Sequence, residues 1–239
     1  MRDMFQICEI KNETEKSADL YFYGDIVSSW WDAWQDEDQY PDSIKNFLNA
    51  QEGKDLNVYI NSGGGSVFAG VAIYNMLKRH AQKNRVQVYV DGLAASIASV
   101  IAFAGSEPLI MPGNAFLMIH NPWAYCTGNA EDMRKMADDL DKIRVALTAI
   151  YKDHRKEGVT IEQIEQMMDA ETWLSGEEAA EYFDISVAEA VQAAAAADGR
   201  YLAKARNVPK SLTFADMEKQ RREDAEKRDK VKRAALAGL

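Results

Sequence analysis

A chain of 239 residues with 47% hydrophobic and 28% charged side chains can bury a substantial core, which excludes a chain disordered or fibrous throughout. Its formal net charge of −10 is uneven: residues 1–199 carry 16 basic and 32 acidic side chains, whereas residues 200–239 carry 12 and 6. An acidic body argues against nucleic acid as the main ligand, because Lys and Arg neutralising phosphate supply most of such affinity.

The opening run Met1 to Glu9 holds acids where a signal peptide needs an unbroken apolar stretch, and no segment reaches the ~18 apolar residues of a membrane span. A cytoplasmic address without membrane contact is the expectation. Cys8, in a strand-like run, and Cys126, in a loop, make neither a disulfide framework nor a zinc pattern. With the histidines scattered at His80, His120 and His154, no metal and no other cofactor is expected.

In chain order, Leu20–Ile26 reads as a strand that ends in a turn, and Leu56–Asn61 as the next strand. Ser66–Arg79 reads as a helix with Val67, Gly70, Val71, Tyr74 and Leu77 on one side, followed by the strand Val86–Val90. Leu93–Ala104 is small and apolar all round, which fits a helix buried on every side. Pro108–Met111 and Ala115–Ile119 are strand-like runs separated by the turn signal Pro112-Gly113-Asn114.

From Asn129 to Lys156 the residues Met133, Met136, Leu140, Ile143, Leu147 and Ile150 recur every three or four positions, predicting a long amphipathic helix. Thr160 with Gln163, and Ser175 with Glu178, fit capping boxes that open two short helices. Alternating strands and helices indicate an α/β domain, expected over residues 1–192. Residues 193–239, rich in Glu, Lys and Arg with few apolar anchors, read as a charged helical C-terminal extension.

Three features carry chemistry. Asn61-Ser62-Gly63-Gly64-Gly65 lies between a strand and a helix, where glycines permit unusual backbone angles and exposed amides can hold an anion. A tight connection accounts for the same run. Ser96 stands where a strand gives way to a helix of small residues, with free amides beside it; it reads equally as a nucleophile or as a packing serine. His120 ends an apolar run before Asn121-Pro122, a position common for half-buried structural histidines. His80 and His154 sit among charged residues and read as solvated, so a histidine base would have to be His120.

Four blocks taken together resemble those of the ClpP-type peptidases: Tyr59 to Gly65, Gly92 to Ser96, Met118 to Pro122, and Trp173-Leu174-Ser175 with Glu178-Ala179. The resemblance covers about Leu20 to Ile185. It implies a ClpP/crotonase-like spiral of ββα units and homo-oligomeric rings acting on peptides. It also implies a Ser-His-acid triad, with Ser96 as nucleophile, His120 as base and Glu171 as the acid, where the family usually has Asp. Asp169 is the alternative acid. The oxyanion hole would be the amides of Gly65 and Ile97, and Ser66, Val67 and Trp123 match positions whose backbone pairs with an extended substrate.

Gly63 stands where the family commonly has proline, and Ser28 to Pro41, with Trp30, Trp31 and Trp34, fills the first crossover with acidic and aromatic residues. The tryptophans read as core or interface packing. These features resemble the ClpP-related proteases of tailed-phage head genes. The resemblance therefore implies an ATP-independent serine endopeptidase cleaving capsid or scaffold proteins in the host cytoplasm or prohead. The alternatives are a degradative subunit dependent on an ATPase ring, an inactive ring or scaffold protein, and a crotonase-like acyl-CoA enzyme.

Overall fold

A computed structural model describes residues 14–33, 35–189 and 207. Cys8, Trp34 and, apart from Asn207, the expected extension from residue 193 lie outside these residues. The described chain runs β1 (Ser17–Phe22), α1 (Pro41–Ala50), β2 (Asp55–Ser62), α2 (Val67–Ala81), β3 (Val86–Ala95), α3 (Ile97–Ala102), β4 (Leu109–Pro112), β5 (Phe116–Ile119), α4 (Ala130–Asp153), α5 (Ile161–Asp169), β6 (Thr172–Ser175), α6 (Gly176–Tyr182) and β7 (Ile185–Ala188). Among the described residues, no helix is long and apolar enough to cross a membrane.

Alternation dictates the sheet. Leu20 and Phe22, Leu56, Val58 and Ile60, and Val86, Val88 and Val90 fall on one face and are buried. The residues between them put Tyr21, Tyr59 and Tyr89 on the other face, where the rings stack at 4.8 and 5.1 Å. Strands β1, β2, β3, β4 and β7 are neighbours in that order and all parallel. Parallel neighbours require crossovers, which α1 and α2 supply between the first three strands. The architecture is α/β with a mostly parallel sheet, as expected.

The sheet forks at β3. Its middle pairs with β4 at Tyr89 and Ile110, while its last three residues, Leu93 to Ala95, pair in parallel with Phe116 to Met118 of β5. Strand β5 also pairs antiparallel with β6. This fork corrects the expected helix over Leu93–Ala104: the strand continues to Ala95 and the helix spans only Ile97–Ala102, every residue of which is buried. Burial on all sides is common to central strands and core helices, so composition could not separate the two.

The long helix has its expected start, with Asn129 Oδ1 accepting from the amides of Glu131 and Asp132. Only its C-terminal half enters the core, through Leu147, Thr148 and Tyr151, while Met133 in the first turn is exposed. Both predicted capping boxes form, at Thr160 and at Ser175. Trp30 and Trp31 are not core: they pack on each other at 4.6 Å and stay exposed, Trp31 at 84%.

Helix α2 meets α3 at Gly70, where an added Cβ would lie 2.2 Å from Ile97 Cγ1. Gly70→Ala should therefore displace Ile97 and destabilise the fold by about 1–3 kcal/mol, as overpacking does. Urea unfolding should show a lower midpoint at an unchanged slope.

Candidate active site

Ser96 occupies the single residue between β3 and α3. Its φ of 56° with ψ of −127° lies outside the regions open to ordinary L-residues, a conformation that costs on the order of 1–3 kcal/mol. It persists because both ends of the residue are held. The Ser96 N–H donates to the Met118 carbonyl at 2.9 Å, and the Ser96 carbonyl accepts from the Ser99 amide at 3.0 Å. The sharp turn leaves the hydroxyl beside the end of β5.

There His120 follows directly on the strand, and its Nε2 lies 2.7 Å from Ser96 Oγ. Its Nδ1 is 3.9 Å from Glu171 Oε2, within reach of an ion pair but longer than a hydrogen bond. Glu171 stands in the turn between α5 and β6 with a φ of 50°, and its side chain is only 10% exposed. Asp169, the alternative acid, is engaged elsewhere: its Oδ1 accepts from Asn121 Nδ2 at 2.7 Å and pairs with Arg144 at 3.0 Å.

The glycine turn closes over this junction. Ile26 donates to the Gly64 carbonyl and accepts from the Ser66 amide, at 2.8 and 2.7 Å. In such parallel pairing the intervening Gly65 amide points to the opposite side. Gly65 has a φ of +149°, and a Cβ there would lie 2.0 Å from the Ile26 oxygen. A Cβ on Gly64 would meet Ala95 O at 2.6 Å and Ser96 Cβ at 2.8 Å. Only glycine lets the turn lie this close to Ser96 and Ile97. The Ile97 amide, first in α3, belongs to the helix turn that lacks an intrahelical acceptor.

A cleft of about 720 Å³ opens on Ser96 and His120. Gly65, Ser66 and Val67 line one side and Trp123 another, so these expected residues share the cleft, while Met136, Leu140 and Ile143 of α4 add an apolar wall. Phe68 reaches this cleft and is otherwise largely exposed.

The other two histidines correct the expectation of solvated side chains. His80 is half-buried, with Nε2 2.7 Å from the Lys54 carbonyl. His154 is half-buried and stacks on Phe103 at 5.0 Å. Two contacts near Ser96 were not foreseen: the Asn121–Asp169–Arg144 cluster and a buried Ser99–Tyr151 pair. Tyr151 falls four residues after Leu147 on the buried face of α4, which was the one available signal.

Residues 38–204 match the Clp protease family. The chain belongs to that family. Among curated Clp relatives, the ATP-dependent Clp protease proteolytic subunits of two Bacteroides fragilis strains are 34% identical over 154 residues. That span is 60% of this chain and 72% or 68% of the relative. The subunit of the same name from Porphyromonas gingivalis is 35% identical over 136 residues, 56% of this chain and 59% of the relative. As a Clp protease, the chain is a peptide-bond hydrolase by family, and crotonase-like acyl-CoA chemistry is set aside.

Burial holds the His154 pKa below its ordinary value, and nearby Lys78 adds to this. The unfolded chain then takes up a proton near pH 6.5 while the folded chain resists it, so stability is lost as the pH falls below that value. The urea midpoint of the wild type should drop between pH 7.5 and 5.5, and His154→Phe should shrink that drop.

Proposed function

We propose that the chain is a serine endopeptidase in which Ser96 attacks, His120 moves the proton and Glu171 orients the ring. The 2.7 Å contact of Ser96 Oγ with His120 Nε2, at a strained strand-to-helix junction, carries this reading. His120 takes the Ser96 proton as Oγ bonds to the scissile carbonyl carbon. The tetrahedral oxygen accepts from the Gly65 and Ile97 amides. His120 returns the proton to the leaving amine, which departs and leaves an acyl-enzyme. Water, deprotonated by His120, then releases the acyl group and restores Ser96.

Glu171 holds Nδ1 and stabilises the imidazolium. Its 3.9 Å separation tightens when substrate fills the cleft, as catalytic hydrogen bonds commonly do. An extended peptide pairs with the backbone of Ser66, Val67 and Trp123, a form of strand addition. Its side chain next to the scissile bond lies against the apolar wall of α4.

The biological role we assign is maturation: homo-oligomeric rings, working in the cytoplasm or prohead without an ATPase, cleave capsid or scaffold proteins. The aromatic crossover from Ser28 and Gly63 in place of proline support it. We further assign residues 1–192 to the peptidase domain and 193–239 to an extension whose basic excess suits an acidic capsid or scaffold surface. The name of the Clp relatives, ATP-dependent proteolytic subunits, favours a second reading, degradation driven by an ATPase ring.

A fluorophosphonate probe should label the wild type and not Ser96→Ala, and His120→Ala should slow labelling by orders of magnitude with the fold intact; an unlabelled, folded wild type would mean an inactive scaffold subunit. Degradation of a folded protein that rises severalfold with an added Clp unfoldase and ATP would replace maturation by the second reading. Glu171→Gln should lower kcat on a peptide substrate by at least tenfold, whereas Asp169→Asn should stay within about threefold of wild type. The reverse order would make Asp169 the acid.

A further inference from the structure

Behind Ser96 lies a buried polar pair that the proposed chemistry leaves idle. Tyr151, on the inner face of α4, is 1% exposed, and its hydroxyl lies 2.7 Å from Ser99 Oγ. Ser99 is itself fully buried on α3, and its Oγ lies 2.5 Å from the Ser96 carbonyl oxygen. A carbonyl only accepts, so the single Ser99 hydroxyl proton goes to Ser96, and Tyr151 donates to Ser99. The direction of the chain is therefore fixed: Tyr151 O–H to Ser99 O–H to Ser96 C=O. Burial raises the Tyr151 pKa, and the phenol keeps its proton across neutral pH.

The Ser96 carbonyl and the Ile97 N–H belong to one planar peptide unit. Whatever holds that carbonyl also aims that amide. Rotation of the unit about its two Cα atoms would change the ψ of Ser96 and the φ of Ile97, and it would turn the amide away from the cleft and the carbonyl towards it. Two hydrogen bonds on the carbonyl oppose this, and one of them runs through Ser99 Oγ and Tyr151. Donation into the carbonyl also polarises the peptide and strengthens its N–H as a donor. Packing of α3 on α4 does not require hydroxyls, since buried hydroxyls bring a desolvation penalty that apolar side chains avoid.

We propose that Ser99 and Tyr151 are positioning residues of the oxyanion hole, which hold the Ser96–Ile97 peptide so that the Ile97 amide faces the developing oxyanion. This inference rests on Ser96 as nucleophile and Ile97 as oxyanion donor. A lost positioning contact weakens transition-state binding and leaves ground-state binding alone. The amide itself remains, so the effect is smaller than the roughly 10²–10³-fold loss on removing an oxyanion donor.

The test compares Tyr151→Phe, Ser99→Ala and the double variant, with active sites titrated by fluorophosphonate. Tyr151→Phe should lower kcat about tenfold with KM within twofold, and weaken inhibition by a peptide aldehyde, whose adduct carries the tetrahedral oxygen, by a similar factor. Binding of the matching peptide alcohol should not change. Ser99→Ala should lose as much or more, and the double variant no more than Ser99→Ala, because the chain passes through Ser99. Wild-type kcat in the single variants, a loss seen only in KM, or losses that multiply in the double variant would overturn the proposal. If Tyr151→Phe does not fold, Ser99→Ala decides by the same measurements. A wild type that the probe does not label sinks the nucleophile reading first, and this inference with it.

Discussion

One hydrogen bond sets the geometry on which the site depends, from the Ser96 amide to the Met118 carbonyl at 2.9 Å. It continues the parallel register of β3 on β5, in which Ala95 lies opposite Met118. Strand β3 ends at that pair and β5 one residue past it, and the next residues are Ser96 on one side and His120 on the other. Their side chains meet because the strands are neighbours with fixed stagger. A slip of one residue would reverse which side chains face the core and part the two groups, so core burial and site geometry enforce the same register.

The turn after β2 is bound to this junction by close approach. The β2–β3 register shifts between Ile60 and Ser62, where the strand leaves the sheet for the glycine run. Ser62 Oγ donates to the Gly24 carbonyl at 2.6 Å and accepts from the Gly64 amide at 3.2 Å, so the turn is fastened on both sides. Gly64 reaches Ala95 and Ser96, and Gly65 reaches Ile26, because neither carries a Cβ. The geometry of the proposed oxyanion hole is therefore a consequence of backbone packing, and the side chains around it serve to keep two backbones in place.

Much of this was legible in the sequence, and the gaps have physical causes. The capping boxes at Thr160 and Ser175 could be read because the interaction is local, confined to four residues. Ser96 and His120 stood out through their place at strand ends and the order of the motif blocks. The extension of β3 through Ala95 was hidden, since a strand paired on both edges and a core helix share one composition. Glu171 was favoured over Asp169 by its place two residues before Trp173, but the contacts of Asp169 with Asn121 and Arg144, 48 and 25 positions away, could not be read from the sequence. The half-burial of His80 and His154 escaped for the same reason, as charged sequence neighbours say nothing of a carbonyl or ring that arrives from elsewhere.

Helix α4 joins these parts. Its 24 residues, roughly 36 Å of rigid backbone at 1.5 Å per residue, touch the site at three levels. Met136, Leu140 and Ile143 wall the cleft, Arg144 holds Asp169 beside the turn that carries Glu171, and Tyr151 reaches the peptide behind Ser96. These contacts fall along the helix with helical spacing, so the helix presents one continuous face to the cleft, to Asp169 beside the Glu171 turn and to the Ser96–Ile97 peptide. A displacement of α4 along its axis would move all three together. Under the proposed mechanism the fold needs no separate device to keep substrate wall and nucleophile in step, because one rigid element sets both.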